Sequence, residues 1–363
     1  GASDGDFAGA GSVTANFIND NVSATIGDTA ATSATTTVNG ATVSAKANNA
    51  ATIDTLAGAI SISTSGDSAG LAVAFDEIGN QTSSTIANTK ITTTGTATAT
   101  GCDTTTASVS ASACSTGTIN AAAVGVAGAD GVALTASLAI NDIGLEDTGA
   151  IGSLADALRD TYTKATITGS DISTASVGVH ANDSNTINAL AGGIAGSTQA
   201  AAGAGFALEN IGANTSATFS DSTLAATGAV DVGAGSTGSI NALAVGGAVS
   251  GDIAVGASVS GNIIGNHTQA TVDGITGYNG AARASMHDLS VKAIDSAAIN
   301  AFAGTLAIGF EGAGVGAAST VNTISNITHA TLSNYTLDAS SSTDVEATSK
   351  AVIQTVAAAA SGG

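Results

Sequence analysis

Proline and tryptophan are absent from this 363-residue chain, methionine occurs once, and aromatic residues make up 3 % of it. A core of large interlocking side chains is therefore excluded. Lys and Arg number seven against 28 Asp and Glu, a formal net charge of −21. That balance excludes nucleic acid as a partner, because phosphate binding needs clustered basic side chains. The same sign opposes anionic lipid surfaces. No apolar run has the length of a membrane-crossing helix, so membrane insertion is not expected. Charged residues of either sign make up only 10 %, and mean hydropathy is +0.35. Disordered chains combine low hydropathy with high charge, so this one is expected to fold. The chain begins at Gly1 without an initiator methionine, and a targeting signal is not expected in it.

What the chain does contain is Gly, Ala, Ser and Thr. Abundant Gly and Thr disfavour helix, and small residues in a folding chain imply closely approaching backbones, as in stacked sheets. Self-comparison finds six copies of one pattern, which outranks other signals. A first anchor is an Ile followed by an amide or Asp, at Ile53, Ile119, Ile187, Ile240, Ile299 and Ile353. A second is Ile18, Ile78, Ile143, Ile211, Ile264 and Ile324, with Asn16, Asp76, Asn141, Glu209, Asn262 and Asn322 two places earlier. Eight residues after it stand Ile26, Ile86, Ile151, Phe219, Val272 and Leu332.

The first anchor precedes the second by 25, 24, 24, 24 and 25 residues, with a turn signal such as Ser65-Gly66-Asp67 or Ser250-Gly251-Asp252 midway. Alternation of period two runs into the first anchor, as in Val177, Val179 and Ala181, so these segments read as strands. Polar clusters such as Asn182-Asp183-Ser184-Asn185 read as corners between short strands. Near the midpoint turn both parities are apolar, which predicts strands covered on both faces. Length varies after the second anchor's partner. The longest insertion, about 152–163, has apolar residues at helical spacing and predicts a short helix.

The fold class read from this is all-β, a single elongated domain over 1–363. Its repeats run approximately 1–62, 63–129, 130–197, 198–250, 251–310 and 311–363. A parallel β-solenoid would stack the Ile rows into ladders, with Asn and Asp rows bonding along the turns. A stack of long antiparallel hairpins would instead fold each module back about its central turn.

Ile187-Asn188-Ala189-Leu190-Ala191-Gly192-Gly193, Val255-Gly256-Ala257-Ser258-Val259 and Val321-Asn322-Thr323-Ile324-Ser325-Asn326 resemble the repeat regions of large secreted bacterial filamentous adhesins, of the filamentous-haemagglutinin-like and leukotoxin-like types. The resemblance implies a secreted stalk or fibre and no catalytic residues.

Signals for chemistry are sparse, and an enzyme is not expected. His180, His267, His287 and His329 are never paired at metal-ligand spacing. No cofactor is expected, with Ca²⁺ at the turn residues Asp67, Asp130 and Asp252 as the weak exception. Cys102 and Cys114 are the only cysteines; a local disulfide or two buried thiols both fit them. Sequons at Asn21, Asn80, Asn214, Asn266 and Asn326 are candidate glycosylation sites.

The sequence opens in the second half of a repeat and closes in the first half of another. Head-to-tail addition, each C-terminal half-repeat completed by the next N-terminal one, would yield an open filament. The expected role is thus an extracellular or cell-surface structural filament whose partner is itself. The alternative is an adhesin stalk whose variable insertions bind a receptor, glycan or matrix ligand.

Overall fold

The computed structural model describes residues 1–3, 5–30, 33–34, 36–95, 107–144, 161–281 and 284–363. The chain enters as β1 (Ala2–Ser3), β2 (Phe7–Gly27) and β3 (Thr36–Gly40). One circuit follows as β4 (Val43–Ser63), β5 (Asp67–Ala87) and β6 (Thr89–Thr93). The next is β7 (Val109–Ala129), β8 (Val132–Ile143), β9 (Tyr162–Thr168) and β10 (Asp171–Thr174). Then come β11 (Val177–Ser197), β12 (Ala200–Ile211), β13 (Asn214–Ser220) and β14 (Thr223–Ala226). β15 (Val230–Ser250), β16 (Ile253–Ile264), β17 (His267–Asp273) and β18 (Thr276–Gly277) repeat the course. The chain finishes with β19 (Ala284–Gly309), β20 (Ala313–Ile324), β21 (Ile327–Ser333) and β22 (Leu337–Gly362). Among the described residues the helical content is one 3-10 turn, Tyr278–Gly280. The helix expected at 152–163 lies mostly outside the described residues, and Tyr162 and Thr163 already belong to β9.

Every strand pair among the described residues is parallel. The first sheet runs β4, β7, β11, β15, β19, β22, and the second runs β2, β5, β8, β12, β16, β20, continued laterally by β9, β13, β17 and β21. Short strands β3, β6, β10 and β14 form a third row. Each midpoint turn carries the chain from the first sheet to the second, so the module does not pair with itself as the hairpin alternative requires. The result is a nearly all-β, parallel, solenoid-like fold.

The anchors fall in register. Ile53, Ile119, Ile187, Ile240, Ile299 and Ile353 are successive partners in the first sheet. Ile18, Ile78, Ile143, Ile211, Ile264 and Ile324 are successive partners in the second. The two rows meet in one core cluster, where burying each Ile contributes about 1.5–3 kcal/mol. Parallel in-register stacking explains the near-constant spacing: within a strand a gain or loss of one residue would turn every following side chain to the opposite face, and the difference between 24 and 25 residues falls in the midpoint turn, 64–66 and 310–312 against 130–131, 198–199 and 251–252.

The core tapers. Around the third row it contains Ile, Val, Leu and Phe219; between the anchors it is Ile and Ala; toward the midpoint turns it is Ala alone. At the thin end the two backbones touch: a Cβ on Gly193 would lie 2.2 Å from the Ala204 carbonyl oxygen, and one on Gly246 2.0 Å from that of Ala257. Close backbone approach, inferred from small residues, is thus a property of the tip of a wedge.

Two readings are corrected. Asn182-Asp183-Ser184-Asn185 is no corner but lies within continuous strand β11, with Asp183 and Asn185 buried. Their parity is that of inward Ile187, so the polar pair is carried inside. The partner of Ile86 is Ile167, not Ile151, because the long insertion separates Ile143 from β9; Ile151 itself lies outside the described residues.

Candidate functional site

Period-two geometry sorts the amide and acid rows. The residue following an inward Ile faces outward, whereas the residue two places before one shares its inward side. Asp54, Asn120, Asn188, Asn241 and Asn300 therefore form an outward ladder. Asn120 Nδ2 donates to Asp54 Oδ1 at 2.7 Å, Asn188 to Asn120 at 2.8 Å, Asn241 to Asn188 at 2.9 Å and Asn300 to Asn241 at 2.9 Å. The ladder begins on Asp54, which as a carboxylate can only accept, and Gln354 stands in register beyond Asn300. Neither row bonds along the turns as expected; both lie within strands.

The inward row is Asn16, Asp76, Asn141, Glu209, Asn262 and Asn322. Asn16 Nδ2 donates to Asp76 Oδ1 at 2.7 Å, Asn141 to Glu209 Oε2 at 2.6 Å and Asn262 to Asn322 Oδ1 at 2.7 Å. Between these bonds are two unbonded steps, Asp76 to Asn141 and Glu209 to Asn262. Asp76 Oδ2, Asn141 Oδ1, Glu209 Oε1 and Asn262 Oδ1 are all buried without a partner. Oxygen then faces oxygen at each step unless the carboxyl holds a proton to donate. Burial raises the Asp76 carboxyl and raises that of Glu209 well above its ordinary value, and a proton on each would close both steps.

More buried acids escaped the sequence reading. Asp183 accepts from Thr163 Oγ1 at 3.0 Å and from Asn185, and burial pushes its carboxyl up to about 7. Asp295 accepts from Asn266 Nδ2 at 3.0 Å and from Asn326, and burial raises it too. Glu77 is raised to about 7 by burial and by the charge of Asp142. The available signal was parity: Asp183 and Asp295 each stand four residues before an inward Ile.

The expected chemistry is dispersed. Asp67 accepts from the Val132 backbone N–H at 2.8 Å and Asp130 accepts from Thr198 Oγ1 at 3.0 Å. They serve their turns, and Asp252 lies on another. Among the described residues no group of three or more His, Cys, Asp or Glu is placed to hold a metal. His180 lies 3.7 Å from Asp231, His287 pairs with Asp288 at 2.6 Å, and the His267 and His329 rings meet edge to face at 6.2 Å. Cys114 is disulfide-bonded; the chain's other cysteine, Cys102, lies outside the described residues. Asn80 and Asn266 are buried, which leaves no room for a glycan, whereas Asn21 and Asn214 are exposed and Asn326 half-buried.

The remaining feature is surface. Strands near the midpoint turns were expected to be covered on both faces, but their outer faces are open. Leu56 is 73 % exposed and Ile60 60 % on the first sheet; Val13 is 71 % and Val321 63 % on the second. The core there needs only one covered face, and the other stays apolar. The long edges of β2 and β22 also carry no described strand. Compared with family models, curated proteins and solved structures, the chain matches none.

Proposed function

We propose that this chain is an extracellular structural protein, a six-repeat β-solenoid that adds head to tail into a filament. The observation that carries this reading is the complementarity of the terminal strands. β2 extends the second sheet at one end, β22 extends the first sheet at the other, and each edge lacks a described neighbour. Continuing both sheets in register sets Ile353 beside Ile53 of the next copy and Ile324 beside its Ile18. The inner row continues with its own sense, Asn322 donating to Asn16 as Asn262 donates to Asn322. In the outer ladder each amide donates to the preceding strand, so a bond from Gln354 to the acceptor-only Asp54 would reverse that sense at the joint.

Ile353 is 45 % exposed, while Ile119, Ile187, Ile240 and Ile299 in the same row are fully buried. Joining removes that exposure along with two open sheet edges, which otherwise invite uncontrolled pairing. Ala2 pairs with Ile62 as Gly362 pairs with Ile308, so both would claim one position and joining displaces β1 from the edge of β4. The contact is heterologous and does not close, which gives a fibre rather than a ring. The resemblance to filamentous adhesin repeats agrees with this reading.

Electron microscopy of the 363-residue chain tests it. The expected outcome is filaments of uniform width, and their loss when residues 351–363 are deleted while the remaining strands keep their melting transition. A wild-type chain that stays monomeric overturns the reading, as do filaments from the truncated chain.

A further inference from the structure

The outer face of the first sheet, from the row of Leu56 to the row of Ile62, poses a question that end-to-end assembly leaves unanswered. Residues 55–63, 121–129, 189–197, 242–250, 301–309 and 355–363 contain no charged residue, in a chain of net charge −21. Leu56, Ile60, Ile194, Phe302 and Leu306 stand exposed there. Axial growth covers edges and leaves this face in water, although a contiguous apolar patch beyond a few hundred Å² marks an interaction surface.

Two glycines on the face strengthen the point. Gly58 and Gly192 point outward between Leu56 and Ile60 and between Leu190 and Ile194. A Cβ on either would meet nothing within 4 Å, and neither has a positive φ. Nothing inside the chain calls for glycine there, and glycine within a strand is destabilising against Ala. Such a glycine marks the close approach of another body. The neighbouring rows bear Val124 and Val245 at the same position, so the face alternates notch and knob from strand to strand.

We infer that this face is a lateral interface with a second copy of the same chain, two first sheets stacked face to face about a two-fold axis. Leu and Ile knobs of one copy enter the Gly58 and Gly192 notches of the other. Size supports a second copy. Nine residues at ~3.3 Å by six strands at ~4.8 Å give about 850 Å², against about 800 Å² per partner in a stable interface. Continuity supports it too: β4, β7, β11 and β15 pair in register without interruption. The second sheet's apolar face is instead bordered by Glu77 and Asp142, and its strands break after Ile143, Ile211 and Ile264. A lipid bilayer is disfavoured because the open strand edges would lie in hydrocarbon.

The interface adds to the head-to-tail reading without depending on it. Light scattering of the chain, diluted below the concentration at which filaments form, reads it directly: a particle of twice 34.0 kDa is expected. Gly58→Val/Gly192→Val and, separately, Leu190→Glu/Ile194→Glu should each give monomer with the melting transition retained. In filaments the same variants should halve mass per length and leave filament length unchanged, whereas loss of axial growth shortens filaments and spares the dimer. A monomeric wild-type chain, or a dimer that survives both variants, overturns the inference. So does co-sedimentation of the wild-type monomer with phosphatidylcholine vesicles that both variants lose, which would assign the face to lipid.

Discussion

The thick and thin ends of the wedge use one backbone plan for opposite purposes. At the thick end three rows of strands enclose Ile86, Ile91, Ile167, Ile172 and Phe219, and the outer surface is mostly polar, with Ser, Thr, Asn and Asp beside Lys46, Lys90, Lys164 and Lys292. At the thin end the inner surface is Ala, Gly, Ser and Thr, and the bulky residues stand outside. Apolar volume has moved from the inside of the sheet to its outer face. Folding energy is therefore concentrated at the thick end and in the Ile rows, while the thin end keeps its apolar area for contacts beyond the chain.

Two isoleucines of β11 test that division most severely. Ile187 is fully buried and Ile194 is 51 % exposed. Ile187→Ala should lower unfolding stability by about 2–5 kcal/mol, since neighbours in register cannot collapse into the gap. Ile194→Ala should change it by less than about 0.5 kcal/mol in the monomer. Denaturation midpoints of the two variants provide the measurement, and equal losses would break the comparison.

Next in size is the pH response, which belongs to the core of the thick end and the anchor rows. Asp183 is raised from 3.8 to about 7 and Glu77 from 4.5 to about 7, with Asp76, Glu209 and Asp295 shifted the same way. Below the ordinary carboxylate range these groups are protonated both folded and unfolded, and burial carries no ionisation penalty. As pH rises toward 7 the unfolded chain releases protons that the folded chain retains, so stability falls and levels off above the folded values. For Asp183 three units correspond to at most about 4 kcal/mol. The melting temperature should thus be highest in mild acid and drop toward pH 8. Glu209→Gln supplies an amide donor for Asn262 at every pH and should raise melting at pH 8 but not at pH 4; a flat wild-type profile would refute the protonated ladder.

Much of this was legible in the residues. Near-constant spacing between Ile anchors fixed the register, because a strand in a parallel stack transmits any change of its length to the side chains beyond it, up to the next turn. The close approach of the two sheets followed from the scarcity of large side chains. What escaped was sidedness. Asn188 and Glu209 look alike as polar companions of an Ile, yet an offset of one against two residues puts the first in water and the second in the core. Parity also reveals Asp183, whose polar neighbourhood imitates a loop. The exposure of Leu56 and Val321 could not be read at all, since an apolar residue of either parity near a turn has the same pattern whether a second layer covers it or not. Ile151 failed for a different reason: an insertion broke the eight-residue spacing at one circuit only.

The smallest expected effect compares the two polar ladders. Asn188 donates to Asn120 at 2.8 Å and accepts from Asn241 at 2.9 Å. Asn188→Ala breaks both bonds, but water reaches the groups left behind, so the net loss should be about 1 kcal/mol. Asn141→Ala removes the bond to Glu209 and the acceptor that a protonated Asp76 would use, and it strips the buried Glu209 carboxyl of its donor. The loss should therefore be the larger of the two, and it should grow with pH as Glu209 is driven to ionise, whereas the Asn188→Ala loss should not vary with pH. Midpoints measured at pH 4 and pH 8 separate these outcomes. A pH-independent loss at Asn141 would mean that the inner row is only a packed file of amides and acids, without the protons that complete it.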